Sequence, residues 1–514
     1  MEARRFPSGC VASPHHLASA AGLAVLVSGG NALDAAIATN LTLGVVTPYL
    51  CGYGGDLFAL IWNDGMHAYN GSGRAPAGAT LEAVRAAAGS DRMPERGPLT
   101  LTVPGAVEAW FALLERFGTR PFSALSEWAL RLAREGFPLS RRGADRIARA
   151  EHVLPWSPQW GATYAGAAPG TRLLQPELAR TIDSLCTQGP DTYYRGPIAE
   201  AIASHVRSLG GFMSPDDLAD HHGDWIQPLA TTYRDAQVLE LPPNTQGVAA
   251  LEALNIVQAA GGLPPEGADR HHLMIEAIKL ALADRDEFVT DPDFMRIPRE
   301  TLASPAWARD RATRIDLAAA SDPIAGRAAA GGTAYLCAAD GRGMCVSLIQ
   351  SNYMGFGSGV TVPGWGINLQ NRGAMFSLDP SHANAIAPRK RTLHTLIPAM
   401  ALRDGRPWLV FGTMGGDGQA QAHLQLLARI LDDGEDIQRA IDAPRWVVSP
   451  QDWSVIVESR FAPDLVHDLR RRGHGVAVTQ SYDSLMGHAH AIEVAEQGYV
   501  GATDPRTEGA VLGL

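Results

Sequence analysis

The chain has 514 residues, 43 Lys and Arg against 54 Asp and Glu, and a formal net charge of −11, which excludes nucleic acid or an anionic membrane as its main partner. Five cysteines at 10, 51, 186, 337 and 345 show no CxxC pair, so neither a disulfide framework nor a zinc site is indicated, and no cofactor motif is read. The length allows two to four ordinary domains or one large α/β sandwich.

The N-terminus, Met-Glu-Ala-Arg-Arg-Phe-Pro, has no continuous apolar stretch behind it, so no signal peptide is read and a cytoplasmic enzyme is expected. Ala32 to Gly44 suits a buried helix ending before Pro48, and Asn40, Thr42 and Pro48 interrupt the stretch too much for a membrane span. Cys51, beside a glycine-rich loop, reads as small buried packing. Val107 to Phe117 is amphipathic and stops at Gly118; Ser214-Pro-Asp-Asp217 has the spacing of a capping box; His271 to Phe288 reads as one long helix. His271, His272 and Glu276 on that helix do not make a metal site by spacing, because adjacent helical residues diverge by about 100°. His221, His222, His488 and His490 lack partners at ligand spacing and read as surface or packing residues. The Ala-rich stretch from Leu317 to Ala330 reads as an exposed linker.

Directly after it comes Gly331-Gly332-Thr333, the start of a strand running to Asp340. A threonine freed as a new N-terminus carries its own base, an α-amino group that titrates near neutrality, and so needs no histidine. A preceding glycine lets the chain bend the scissile peptide toward the hydroxyl. Taken alone, Gly-Gly-Thr before a strand is also an ordinary loop end. Hairpin arithmetic adds to it: Gly341-Arg342-Gly343 forms the loop, Met344 to Asn352 returns, and pairing Asp340 with Met344 sets Thr333 opposite Ser351. A two-residue loop sets it opposite Gln350 instead. In the first register the Ser351 hydroxyl orients the Thr333 hydroxyl, since directly opposed residues have Cβ atoms about 5 Å apart.

These motifs resemble the γ-glutamyltransferase family over nearly the whole chain. The matches run in order through Gly29-Gly30-Asn31, Cys51-Gly52-Tyr-Gly54-Gly55-Asp56, Arg74-Ala-Pro76, Val103-Pro104-Gly105, Tyr194-Arg-Gly196, Gly210-Gly211, Asp284-Arg285, the Thr333 block, Gly415-Gly416 and Asp504-Pro505-Arg506. The resemblance implies a four-layer αββα N-terminal nucleophile (Ntn-hydrolase) fold. It implies one precursor cut between Gly332 and Thr333 into a large subunit, 1–332, and a small catalytic one, 333–514, folded together as one domain. It does not fix whether two such heterodimers pair. Gly415 and Gly416 then supply oxyanion-hole N–H groups, each typically worth about 100-fold to 1000-fold in rate.

The departures bear on the substrate. Family members that take a γ-glutamyl group clamp its α-carboxylate with an arginine where this chain aligns Ser72, with Arg74 two residues on. They hold the α-amino group with an aspartate where this chain has Met375, in Asn371-Arg372-Gly-Ala-Met375. The serine pair beside the carboxylate aligns with His394 and Thr395. A thioether in place of that carboxylate forfeits a charge-assisted bond worth about 1.5–3 kcal/mol and leaves the ammonium unpaired. The stretch Leu348-Ile-Gln-Ser351-Asn-Tyr353-Met-Gly-Phe-Gly357 is similar to the branch that includes oxamate amidohydrolase, with Tyr353 among the substrate-contacting positions and Arg74 or Arg372 available for a substrate carboxylate. The expected activity is hydrolysis of a small-molecule amide through an acyl-enzyme, not strictly γ-glutamyl. The alternatives are a genuine glutathione hydrolase or transferase and an unprocessed binding homologue.

Overall fold

Alternation along the strands builds the molecule. In Gly332–Asp340, Ala334, Leu336 and Ala338 pack with one cluster of helices, whereas Tyr335, Cys337 and Ala339 pack on the opposite face against Leu396, Met400, Val410 and Ile492. A strand buried on both faces needs a layer on each side. The structure, a computed structural model, describes residues 2–154, 157–322 and 332–514.

Two seven-stranded antiparallel sheets supply the middle layers. The first runs Ala510–Gly513, Gly9–Ser13, Gly332–Asp340, Cys345–Tyr353, Asp56–Trp62, Met66–Gly71 and Asp224–Ile226. The second runs Arg4–Phe6, Gly498–Thr503, Ala489–Ala495, Arg406–Thr413, Ala399–Arg403, Ala236–Glu240 and Leu229–Tyr233. Helix Ala32–Val46 and its neighbours cover the outer face of the first sheet, and Gly247–Ala259, Ala268–Phe288 and Gly418–Leu427 cover the second. The order is helix, sheet, sheet, helix, the αββα sandwich that was expected. Both sheets mix strands from before and after Thr333, so neither stretch has a complete sheet of its own.

The local expectations are met closely. The buried helix is Ala32–Val46, capped by Asn31 and Asp34; the amphipathic helix is Ala106–Phe117; Ser214 and Asp217 form the capping box; the long helix is Ala268–Phe288. The linker read over Leu317 to Ala330 lies outside the described residues from 323 onward, as does Gly331. Its described part is held: Ser321 N–H donates to Glu276 Oε2 at 3.0 Å, and Lys279 Nζ donates to Ser321 O at 2.7 Å. No helix among the described residues is long and apolar enough to cross a membrane.

Candidate active site

Thr333 is 1% exposed and lies at the mouth of the central hairpin. The register is the one that pairs Asp340 with Met344: Asp340 N–H donates to Met344 O at 3.1 Å, and Ala334 stands opposite Gln350. A bulge then intervenes between Gly332 and Ala334, pairing Gly332 with Tyr353, whose φ of 75° is the left-handed value the bend requires. The sequence did not announce this bulge, and it brings the peptide before Thr333 against Ser351. The Thr333 hydroxyl donates to Ser351 Oγ at 3.2 Å, Ser351 Oγ donates to the Gly332 carbonyl at 2.5 Å, and Tyr353 N–H donates to Ser351 Oγ at 2.7 Å. Ser351 thus connects a hydroxyl proton to the carbonyl oxygen of the bond preceding Thr333. Gly332 is required for room rather than for a left-handed φ: a Cβ there would stand 2.6 Å from Tyr49 O.

The opposite sheet brings the second element. Ser347 Oγ donates to Phe411 O at 3.5 Å, and a Cβ on Gly412 would come within 2.4 Å of the Tyr335 ring. Since Ser347 pairs with Cys337, the step from Phe411 to Gly412 follows the step from Cys337 toward Tyr335, and continuing it carries Met414–Gly416 to the Thr333 end. Gly415 and Gly416 have φ of 140° and 57°, and among the described residues neither N–H donates a hydrogen bond. Gln246 fixes this loop by donating from Nε2 to Gly416 O at 2.8 Å and Thr395 O at 2.9 Å. Arg285, fully buried, donates to Gln246 Oε1 at 2.7 Å and pairs with Asp417 at 2.5 Å. Asp284-Arg285 stood out in the sequence without a role; the structure places Arg285 behind the Gly415-Gly416 loop.

The remaining predicted residues divide into two places. Arg372 and Met375 share a 3₁₀ turn, Arg372–Met375. Arg372 is 1% exposed; its guanidinium lies 4.2 Å from the centre of the Tyr353 ring, and Nη1 donates to Thr395 Oγ1 at 3.1 Å. Burial lowers its pKa to about 10 against the opposing pull of Tyr353, Asp56 and Asp417. Met375 Sδ accepts the Tyr353 hydroxyl at 2.9 Å. His394 is buried with Nδ1 accepting from Leu396 N–H at 3.3 Å and Nε2 facing Asp56 Oδ2 at 3.2 Å, so Nε2 carries the proton. Burial and the nearby Arg372 and Arg391 hold its pKa well below the usual imidazole value. Ser72 is also buried, donating to Asn70 Oδ1 at 2.7 Å and accepting from Asn244 Nδ2 at 3.3 Å; Asn244 Nδ2 also donates to Thr392 O at 2.8 Å. Arg74 lies elsewhere, in a cleft of about 190 Å³ with Asp217, His221, His222 and Arg389, reaching His222 O at 3.4 Å and Asp224 at 3.6 Å.

Asp56 entered the sequence reading only as the last residue of the glycine-rich motif, with no role given to it. It stands opposite Ser351 across the strand pair, fully buried, with Oδ1 accepting from Gly73 N–H, Gly105 N–H and Gln370 Nε2 at 3.1, 3.1 and 2.9 Å. Burial raises its carboxyl to about 6, an effect that Arg372 opposes. Its signal was present in Gly54-Gly55-Asp56, a carboxylate set in a glycine-rich strand entry, but its partners lie far along the chain.

The histidine pair on the long helix behaves as the 100° divergence requires. His271 turns to Glu266 and Trp446, while His272 Nδ1 meets His474 Nε2 at 2.8 Å. His272, Glu276 and His474 bring their ligand-type atoms within 4.8 Å of one another, a grouping that spacing alone could not reveal. Lys279 enters the same cluster, 3.0 Å from Glu276 and 3.4 Å from His474 Nδ1, and His272 Nε2 reaches Asp316 O at 2.9 Å. These contacts satisfy both imidazoles as a neutral hydrogen-bonded chain that tethers residues 316–321.

Comparison with known proteins identifies the family. The chain matches the gamma-glutamyltranspeptidase family over residues 18–514. It is 39% identical to the glutathione hydrolase-like YwrD proenzyme of Bacillus subtilis, over 98% of both chains. It is also 39% identical to the oxamate amidohydrolase proenzyme of Klebsiella pneumoniae, over 98% of both. Among solved structures, the cephalosporin acylase from Bacillus halodurans superposes with a TM-score of 0.94 at 39% identity, covering 100% of this chain and 97% of that one. With the αββα layers and the Thr333 hairpin, these matches establish that the chain belongs to the gamma-glutamyltranspeptidase family and is an enzyme of the N-terminal nucleophile hydrolase class.

Proposed function

We propose that the chain is a self-cleaving amidohydrolase that frees Thr333 as its nucleophile and acts on a small amide that is not strictly γ-glutamyl. The observation that carries the reading is the chain of hydrogen bonds from Thr333 Oγ1 through Ser351 Oγ to Gly332 O. In the precursor, Thr333 Oγ1 attacks the Gly332 carbonyl carbon. Its proton passes to Ser351 as Ser351 delivers its own to the carbonyl oxygen. Collapse breaks the Gly332–Thr333 C–N bond, the Thr333 nitrogen takes up a proton, and the chain is joined through an ester. Water hydrolyses the ester, leaving Gly332 with a carboxylate and Thr333 with a free α-amino group. The products are a large subunit, 1–332, and a small one, 333–514, whose shared sheets keep them in one body.

In turnover, the α-amino group takes the Thr333 hydroxyl proton as Oγ1 attacks the substrate carbonyl. The Gly415 and Gly416 N–H groups hold the oxyanion, and the proton leaves with the amine. Water then attacks the acyl-enzyme and releases the acid. The specificity reading rests on Met375. Tyr353 gives its hydroxyl to the Met375 sulfur, so the position that family resemblance assigns to the ammonium-binding carboxylate offers a thioether. The names of the relatives span glutathione hydrolase, oxamate amidohydrolase and acylase proenzymes, and the replaced clamp favours the latter two kinds of acyl group over glutathione.

Mass spectrometry of the purified chain tests the processing. A fragment beginning at Thr333 is expected in the native sequence and is absent from Thr333→Ala. An intact native chain without amide turnover identifies the unprocessed binding homologue instead.

A further inference from the structure

Resting on the amidohydrolase reading, we infer that Arg372 is the specificity residue for the acyl group, and that the enzyme takes amides whose acyl part bears a carboxylate, bound along the Nε–Nη2 edge of its guanidinium.

Arg372 is among the largest fully buried side chains, and its contacts leave one particular edge over. Nη1 is engaged by Thr395 Oγ1, and one face of the guanidinium stacks on Tyr353. Among the described residues Nε and Nη2 have no hydrogen-bond partner, although both are shielded from solvent. These two nitrogens form the side-on fork that binds a carboxylate with two parallel N–H···O bonds. A buried guanidinium keeps its charge only if that charge is answered nearby. Asp56, one of two carboxylates whose charge acts on Arg372, has Oδ1 filled by Gly73, Gly105 and Gln370 and Oδ2 turned to His394. Asp56 therefore balances Arg372 through space without occupying its fork.

The placement suits an acyl group on Thr333. Tyr353, under Arg372, follows Ser351 by two residues and pairs with Gly332. Thr395, beside Arg372, shares Gln246 with Gly416. Arg372 is thus tied on one side to the nucleophile's partner and on the other to the loop offered as the oxyanion hole. Met375, on the same turn, borders a cavity of about 950 Å³ that Phe288, Phe376 and Leu393 also line. Arg74, the other arginine considered from sequence, already has Asp224 and His222 as partners in a separate cleft.

The test uses processed protein and amide pairs that differ only in whether the acyl-side carboxylate is free or a methyl ester. Wild type is expected to favour the free acid by about 100-fold in kcat/KM, as sites built around a buried polar group discriminate strongly. R372Q should bring the ratio near one, and R372K should fall between, because an ammonium cannot make the fork. A ratio near one in wild type, or an undiminished ratio in R372Q, overturns the inference. If R372Q does not fold, R372K decides, and a ratio unchanged from wild type overturns it. Calorimetry with oxalate separates this inference from the hydrolase reading. Binding that is lost in R372K or R372Q supports the carboxylate site even in a chain that turns over no amide. Turnover of amides with no oxalate binding and no acid preference defeats the carboxylate site alone.

Discussion

The hairpin that carries Thr333 and the loops that face it were built under different constraints. On the hairpin side the threonine hydroxyl reaches Ser351, and Ser351 reaches the carbonyl before Thr333. On the loop side, the positions that the resemblance aligns with the family's amino-acid clamp hold other groups. Ser72 bonds Asn70 and Asn244, Met375 takes a tyrosine hydroxyl, and His394 faces Asp56 beside Arg372, whose Nε and Nη2 have no hydrogen-bond partner among the described residues. The contrast teaches that a self-cleaving nucleophile answers first to its own backbone, the substrate of its first reaction. The recognition loops answer only to the external substrate.

Four substitutions probe the two sides, from the largest expected effect to the smallest. Thr333→Ala is expected to remove both self-cleavage and turnover, a loss of about 1000-fold or more, read by fragment mass and initial rates. Residual cleavage at that bond in the variant means another group attacks it. Ser351→Ala should slow self-cleavage by about 100-fold, the ordinary value of a positioned proton-transfer group, with Ser351→Thr recovering much of it. Equal rates in all three chains would remove Ser351 from the relay.

Asp56, on the strand paired with the hairpin, makes a pH prediction. Burial holds the Asp56 carboxyl at about 6 rather than 3.8, so the folded chain binds that proton more tightly than the unfolded chain. This group therefore makes stability fall as pH rises from about 4 to about 6, by up to about 3 kcal/mol. Urea unfolding of wild type and Asp56→Asn across that range should give a stability difference that shifts toward the variant as pH rises. A difference that stays flat contradicts the buried, proton-binding carboxyl. Met375→Asp is the smallest: the new carboxylate answers a substrate ammonium and competes for Arg372, moving the ratio of γ-glutamyl to simple acid amides by about tenfold toward γ-glutamyl. A ratio that does not move places position 375 away from the acyl group.

Much of this was legible in the chain itself because it is local. The Gly341–Gly343 loop narrows the hairpin to two registers, one of which is observed, the helix starts follow from Asn31 and Ser214 caps, and the divergence of His271 and His272 follows from helical geometry. What stayed hidden depends on distant segments meeting. Asp56 acquires His394 and Gln370, more than 300 residues away, and Gln246 joins Thr395 to Gly416. His474 reaches His272 across 202 residues and Asp417 reaches Arg285 across 132, and no spacing rule covers such pairs. The bulge at Gly332 was hidden for another reason. It depends on Tyr353 adopting a positive φ, which a tyrosine in a strand pattern does not suggest.

The most direct measurement sets γ-glutamyl-p-nitroanilide against glutaryl-p-nitroanilide, which differ only by the α-amino group, on the processed protein. A nucleophile retained beside a clamp that has lost its ammonium-binding acid predicts kcat/KM at least about tenfold higher for the glutaryl compound, the equivalent of about 1.4 kcal/mol. A preference for the γ-glutamyl compound by the same factor would contradict the account and return the chain to glutathione-type chemistry.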